Sequence, residues 1–269
     1  MSATDVHERE TPGRFARLSP AAFAIAVAAA ALVLASVATV APSPDRLAAG
    51  LPRMANLIGR MLPPETDPAF LARMGLRILE TFAIAIAGTA IGVVLSLPVA
   101  WLAARGVSPV GAATFLFKGF VSFLRTVPDL VWALIFVASI GLGPVAGVMT
   151  IVVDTIGFCG RFFAEAMEDA DKGPQEALAA TGASRFAILA AAIIPDTLPS
   201  MINTTLFALE KAVRSSVVLG LVGAGGIGQE LETAFSLFQY PKAMTIILAI
   251  FVVVIAMEYV ADRLRARVR

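Results

Sequence analysis

The chain has 269 residues, of which 58% are hydrophobic and 15% are charged. Soluble domains carry about 25% charged residues, so this composition excludes an ordinary water-soluble globule, a disordered chain and a nucleic-acid-binding protein with a basic face. The formal net charge of +1 provides no general attraction to polyanions. We therefore predict a protein that is embedded in a lipid bilayer and binds no nucleic acid.

The residues that usually carry catalysis are scarce. The single cysteine, Cys159, has no partner for an intrachain disulfide, and the single histidine, His7, lies in a polar N-terminal segment. A Ser-His-Asp site and a histidine–metal site are therefore not expected. We predict that the chain is not an enzyme and holds neither a metal nor a cofactor.

Charge-free runs locate the membrane spans. Residues 18–44, 81–104 and 130–153 each lack Asp, Glu, Lys and Arg, and each exceeds the roughly 20 residues that cross a bilayer as a helix. The runs do not alternate with period two, which excludes a β-barrel. We predict an all-α membrane protein with six transmembrane helices, at about 20–41, 78–104, 110–141, 144–163, 186–209 and 241–263. The third contains Pro128 and should be broken, with an interfacial first part.

Arginine content at the two ends predicts the orientation. The arginines concerned are Arg9, Arg14, Arg17, Arg263, Arg265, Arg267 and Arg269. Because positive residues favour the cytoplasm, both termini are expected there, which agrees with an even number of spans. Residues 1–19 would then form a cytoplasmic tail. The first apolar run is too long for a typical signal peptide, so we favour a retained helix over a cleaved one.

Residues 42–77 would lie outside and contain an amphipathic helix. Leu47, Leu51 and Met54 recur at helical spacing, as do Ile58 and Met61 further on, while arginines recur every seven residues on another face. This pattern is typical of a helix on the membrane surface, and equally of a connector packed against other helices. We treat residues 20–77 as the first span with this connector, and residues 78–265 as the main transmembrane domain.

The polar stretch 164–185 separates the fourth and fifth spans and should be cytoplasmic. Pro174 suits the first turn of a helix, and Gly182 suits the residue just past its end. Ala- and Leu-rich residues lie between them, and Ser184 can cap the following helix. The punctuation predicts a short helix of about eight residues, which is either a docking element or a solvated loop helix.

This loop resembles the EAA loop of bacterial ABC-importer permeases. In that family, Glu-Ala-Ala is followed after three residues by Gly and later by Ile-x-Leu-Pro. Here Glu176, Ala177, Gly182 and Pro195 fall in register, while the third position is leucine and the later Ile and Leu positions hold alanine and isoleucine. The resemblance implies that the loop docks on an ATPase subunit, with Ala180 allowing close approach.

Three longer segments, at 125–144, 176–185 and 213–228, look like phosphonate-importer permeases, a group that includes phosphite-type members. The resemblance covers roughly residues 75–265 and implies a type I ABC importer permease in the bacterial inner membrane. Such a permease forms a homodimer, binds cytoplasmic ABC ATPase subunits and receives cargo from an extracytoplasmic phosphonate-binding protein. The chain has no phosphate loop, which fits ATP being bound by the partner subunits.

Charged residues in or beside the spans are candidates for the translocation path. They are Arg125, Asp129, Asp154, Arg161, Glu210, Lys211 and Arg214. Charges at membrane depth either neutralise one another or serve a function. Arg125 and Asp129 are four residues apart and could pair along one helix. For an anionic cargo we expect Arg125, Lys211 and Arg214 to line a weakly binding path, with Ser215 and Ser216 adding hydrogen bonds.

A glycine cluster follows the fifth span. Gly223, Gly225 and Gly228 match the spacing of a dinucleotide fingerprint, but no strand is expected nearby, and no acid lies between residues 232 and 258. Small residues at helix contacts are a second interpretation. We favour a non-helical turn that lines a cavity near the dimer axis, formed by Gly223, Gly225 and Gly226.

Two other transport functions remain open. The same machine could import another small solute, such as methionine, since methionine-importer permeases also have a glycine-rich segment here. An ion-driven secondary transporter would usually show two related halves with paired broken helices, and no convincing internal repeat is found in this sequence.

Overall fold

A computed structural model describes residues 19–41 and 43–267. The predicted tail, including Arg9, Arg14 and Arg17, therefore lies outside the described residues apart from residue 19. The described chain divides into two compact units, one ending at Asn56 and the other beginning at Leu57. Each unit is described by itself below.

The first unit consists of helix α1, Pro20–Val40, and most of α2, Pro44–Met61. The side chain of Ser19 caps α1 by accepting a hydrogen bond from the Ala22 N–H at 3.1 Å, and proline follows at the first helical position. Helix α2 ends at Met61, ahead of Pro63 and Pro64. Its amphipathic character is confirmed, while its place relative to a membrane stays a prediction.

The second unit contains the remaining helices. They are α3 (Pro68–Ala103), α4 (Thr114–Thr126), α5 (Asp129–Ile140), α6 (Pro144–Asp169), α7 (Lys172–Ala180), α8 (Arg185–Ile188), α9 (Ile194–Gly220), α10 (Gly226–Ser236) and α11 (Tyr240–Arg265). A short 3₁₀ turn, Gly111–Ala113, precedes α4, and a π-helical turn, Leu189–Ile193, joins α8 to α9.

Helices α3 and α6 pack side by side in parallel and form the centre of this unit. A side chain on Gly88 would meet Ile151, its Cβ only 2.6 Å from the Ile151 Cγ2 atom, and one on Gly92 would meet Thr155 at 2.5 Å. Ser96 donates a hydrogen bond to the Thr155 carbonyl oxygen across the same contact, at 3.3 Å. Small residues one turn apart therefore let the two backbones approach closely, as in other membrane helix pairs.

Two parallel helices require the chain to return between them, and the bent pair α4–α5 makes that return. Near its start, Lys118 forms an ion pair with Glu168 at the C-terminal end of α6, at 2.7 Å. Just after its end, the Gly143 N–H donates to the Gly223 carbonyl oxygen at 2.8 Å, beside the first residue of α6. The two helices meet at an angle of 86°, and Pro128 lies at the break, as expected.

Five described helices are long and apolar enough to cross a membrane, and the count reaches six where the bent pair α4–α5 is taken as one broken span. The six spans predicted from the sequence agree with the upper count. The boundaries differ most for the fifth span, because α9 continues eleven residues past the predicted end at 209 and carries Glu210, Lys211 and Arg214 inside the helix. Helix α10, which the sequence analysis did not predict, follows the glycine-rich turn.

Candidate functional site

The polar stretch 164–185 forms the short helix that the sequence predicts. Asp171 caps α7 by accepting a hydrogen bond from the Gly173 N–H at 3.0 Å, and Pro174 lies in the first turn. At the other end, the Gly182 N–H donates to Ala179 O at 3.0 Å and the Ala183 N–H donates to Leu178 O at 3.1 Å. These two bonds form a Schellman motif, which requires a left-handed residue at Gly182, and its φ is +80°.

The residues predicted to contact an ATPase are on the surface of this loop. Glu176, Ala177 and Ala180 are exposed on α7, and Gly182 is exposed at its end. Pro195 is also exposed, at the second position of α9, directly after the π-helical turn. The loop therefore presents a short, small-residue helix with one carboxylate to the outside of this unit.

Hydrogen bonds fasten the loop to two other parts of the unit. The Asp171 N–H donates to the Asp196 carboxylate in the first turn of α9, at 2.9 Å. Arg185 donates to the Ser108 carbonyl oxygen, in the connection between α3 and α4, at 2.9 Å. A displacement of α7 would therefore act directly on α9 and on the start of the bent span.

A cavity of about 470 Å³ lies beside α7. Cationic and anionic side chains both line it, including Arg105, Lys172, Glu176 and Arg185. Glu168 closes one side, where its carboxylate accepts a hydrogen bond from the Arg105 N–H at 2.7 Å. The cavity therefore lies next to Glu176, one of the residues predicted to contact an ATPase.

A second cluster of polar side chains lies where the bent span faces α6 and α9. Lys211 on α9 forms an ion pair with Asp154 on α6, with Nζ 2.7 Å and 2.9 Å from the two carboxylate oxygens. Ser215 donates to the Asp129 carboxylate on α5 at 2.9 Å. Polar contacts thus join α5, α6 and α9 at the depth of the break.

The predicted pairing of Arg125 with Asp129 does not form. The break at Pro128 places the two residues on different helices, so the i,i+4 geometry of a continuous helix is lost. Asp129 accepts from Ser215 instead, and the Arg125 guanidinium lies 5.9 Å from the centre of the Phe162 ring. Arg125 is exposed and has no ion-pair partner among the residues that the structure describes.

The other predicted path residues divide into accessible and buried ones. Arg214 is exposed and donates to Glu210 at 2.8 Å, and Glu210 also binds Arg265 of α11. Ser216 is buried and donates to the Thr81 carbonyl oxygen of α3 at 3.5 Å. Ser216 therefore stabilises helix packing, whereas Arg214 is exposed and Ser215 is half-buried. The face that carries Arg125, Lys211, Arg214 and Ser215 is called the polar side below.

The glycine cluster forms a non-helical turn between α9 and α10, as predicted. Gly223, Gly225 and Gly226 have φ values of +87°, +86° and +73°. The turn packs on α3, where the Ile227 N–H donates to the Thr81 hydroxyl at 2.8 Å, and a Cβ on Gly226 would be 2.6 Å from that oxygen. Helices flank the turn on both sides and residues 19–41 and 43–267 contain no strand, which excludes the dinucleotide fingerprint.

Comparisons with known proteins identify the class of this fold. Residues 96–269 match the family described as "Binding-protein-dependent transport system inner membrane component". The chain belongs to this family. It is therefore a multi-pass inner-membrane permease of a binding-protein-dependent transporter, and not an enzyme.

Individual relatives agree with the family. The permease is 38% identical over 221 residues to the putative phosphite transport system permease protein HtxC of Stutzerimonas stutzeri, covering 82% of this chain and 78% of that protein. It is also 38% identical over 222 residues to the phosphate-import permease protein PhnE of Mycolicibacterium smegmatis, covering 82% of this chain and 41% of that protein.

A solved structure shares the fold. An inward-facing conformation of the MetNI methionine ABC transporter matches with a TM-score of 0.66 and 22% identity, covering 76% of the permease and 100% of that chain. At this level of identity the match shows the fold alone.

Sequence reasoning missed several polar partners in the permease. Asp196 accepts a hydrogen bond from the N-cap residue of α7, Glu168 accepts one from the connection that follows α3, and Thr81 holds the glycine turn. Asp154 was recognised as a membrane charge, but its pairing with Lys211 was not. A charged lysine at membrane depth is usually paired, so the sequence could have shown that Lys211 needs a carboxylate partner, but not which one.

Proposed function

We propose that this permease forms the translocation path of an ATP-driven importer for a phosphorus oxyanion of the phosphite or phosphonate class. Two copies would enclose the path, and cytoplasmic ABC ATPase subunits would bind ATP and drive the transport cycle. An extracytoplasmic binding protein would deliver the cargo. The observation that carries this proposal is the capped, exposed helix α7. Its N-cap residue Asp171 is hydrogen-bonded to α9, and Arg185 of the following helix α8 is hydrogen-bonded to the connection between α3 and α4.

The coupling step follows from the contacts of α7. Glu176 offers a carboxylate for a partner arginine or backbone N–H, and Ala177 and Ala180 leave room for close approach. When the ATPase subunits close, α7 would move with them and displace the first turn of α9 through the bond to Asp196. Because α9 carries Lys211, Arg214 and Ser215, that motion would change the positions of these three side chains.

The homodimer is supported by where the polar side chains lie. Arg125 and Arg214 are exposed within the transmembrane unit, and Lys211 and Ser215 are partly exposed beside them. Charged groups at membrane depth face a protein or a water-filled cavity and not lipid. A second copy placed against this side would enclose these groups and the glycine-rich turn around a shared path.

The cargo class is supported by the relatives and by the charges of the path. Relatives named for phosphite or phosphate transport are 38% identical to the permease. Three of the accessible polar side chains are cationic, and weak cationic sites suit an oxyanion in transit. Methionine is the second candidate, because the same side also holds Asp129 and Asp154, and groups of both signs suit a zwitterion.

Reconstitution tests the proposal. The permease, its ATPase and its binding protein are placed in proteoliposomes, and uptake of phosphite, methylphosphonate, phosphate and methionine is measured with and without ATP. We expect ATP-dependent uptake of phosphite or methylphosphonate that requires all three proteins. Uptake by the permease alone would contradict the ATPase coupling, and exclusive uptake of methionine would contradict the cargo class.

A further inference from the structure

The ion pair between Asp154 and Lys211 lies on the proposed translocation path, and its carboxylate has no role in the coupling step described above. Both carboxylate oxygens of Asp154 lie within 2.9 Å of the Lys211 Nζ atom. The ammonium group also lies 5.5 Å from the centre of the Phe158 ring, one turn along α6. Lys211 is therefore held from two sides by α6.

The pair is accessible from the polar side. The side chain of Lys211 is 36% exposed and that of Asp154 is 23% exposed. Arg214 lies one turn along α9 and is 57% exposed, and its own carboxylate partner is Glu210. Two cations that an anion can reach in the path are thus each paired with a carboxylate of the same chain.

The ion pair with Asp154 weakens the attraction between Lys211 and an approaching anion. In a low-dielectric setting, an unpaired ammonium group attracts an oxyanion strongly and would retain it. Transport requires cargo to enter a site and leave it again, so tight binding slows conduction. A carboxylate that already occupies the ammonium group competes with the oxyanion, because both use the same charge-assisted hydrogen bonds.

We propose that Asp154 is the resident counter-ion of Lys211, which an oxyanion cargo displaces in transit, so that this carboxylate sets how loosely the permease holds its cargo. The inference rests on the proposed function. When the oxyanion approaches, its oxygens replace those of Asp154 at Nζ, and when it leaves, Asp154 returns. Asp154 acts on the cargo through Lys211 and is therefore a positioning residue.

The test compares Asp154→Asn with a matched control, Glu168→Gln. Both residues are carboxylates on α6, each forms a 2.7 Å ion pair with a lysine of another helix, and their exposed fractions are 23% and 25%. Glu168 pairs at the C-terminal end of α6, away from Lys211. A purely structural role predicts the same behaviour for both variants, whereas the counter-ion role predicts that they differ.

The measurement is retention of radiolabelled inorganic phosphate by the permease–ATPase complex in nanodiscs, with unlabelled phosphite as competitor. Freeing Lys211 in D154N should lower the half-saturating phosphate concentration by about tenfold or more, as for one charge-assisted hydrogen bond made available to the anion. D154E, which keeps the charge, should bind as weakly as the wild type. E168Q should also bind as the wild type does, and D154N/K211M should lose the gain.

Equal retention in D154N and E168Q would overturn the proposal, as would a gain that persists in D154N/K211M. Asp154→Ser supplies the same comparison if the asparagine variant assembles poorly. A failure of the proposed function would be seen in a different measurement. The wild-type complex with its binding protein would then import neither phosphite nor methylphosphonate, whatever the Asp154 variants bind.

Discussion

Replacing Gly182 by valine should uncouple the permease from its ATPase while leaving it inserted in the membrane. The residue has a φ of +80°, and no heavy atom lies within 4 Å of the position that a Cβ would take. The penalty therefore comes from the backbone conformation and not from a clash. A non-glycine residue in the left-handed region costs roughly 1–2 kcal/mol, and a β-branched residue is the least tolerant of it.

This energy is large for so short a helix. Helix α7 has nine residues, and isolated helices of that length are marginal in water. The two Schellman bonds, at 3.0 Å and 3.1 Å, both depend on the backbone at Gly182. A loss of about 1–2 kcal/mol changes the folded-to-unfolded ratio of a local element about 5- to 30-fold, so we expect a comparable loss of coupled transport.

The assay measures substrate-stimulated ATPase activity and ATP-dependent uptake in proteoliposomes. Gly182→Asn is the matched variant, because asparagine tolerates the left-handed region and should retain most of the coupling. Gly173→Ala adds a methyl group inside the same helix, where the nearest atom, an Asp171 carboxylate oxygen, is 3.5 Å from its Cβ, an ordinary contact. Full stimulation and uptake in G182V would refute the assignment of α7 as a coupling element.

Three further predictions concern the transmembrane unit. Gly88→Ala should lower the thermal midpoint of the purified complex, because its Cβ would be 2.6 Å from a side chain of α6, whereas Gly75→Ala, with nothing within 4 Å, should not lower it. Ser215→Ala should destabilise the complex by about 1.5–3 kcal/mol, since it removes the hydrogen bond to the Asp129 carboxylate; an unchanged denaturation midpoint would contradict this. Arg214→Gln should reduce uptake and alter the preference among anions, and unchanged uptake with unchanged preference would remove Arg214 from the path.

Local sequence signals were sufficient to predict the short helix in the stretch 164–185 and its two ends. Pro174, Gly182 and Ser184 each act on residues within a few positions of themselves, so their roles can be predicted without knowledge of the tertiary fold. The same is true of the break at Pro128, which follows from the missing N–H of a proline. In these places the structure agrees with the sequence, because the deciding interactions are local.

Contacts between distant residues were beyond the sequence. Asp154 and Lys211 are 57 positions apart, and nothing in their immediate neighbours selects one partner over another. The possible pair of Arg125 and Asp129 does not form, because the break at Pro128, which the sequence predicts, places the two residues on different helices. Helix α9 was predicted too short because its charged residues were treated as the end of a span, when in the fold each of them has a partner.

Helix α9 connects the loop at residues 164–185 to the proposed path. Asp196 in its first turn accepts the hydrogen bond from α7, and Lys211 lies fifteen residues further along the same helix. At 1.5 Å per residue, these two positions are about 22 Å apart along a continuous helix. If α7 docks on an ATPase as proposed, α9 provides a direct helical connection from Asp196 to Lys211. The π-helical turn Leu189–Ile193 precedes α9, and it provides a compliant joint on the loop side. On the proposed function, motion at an ATPase would then reach the ion pair of Lys211 and Asp154, where we propose that cargo displaces the carboxylate.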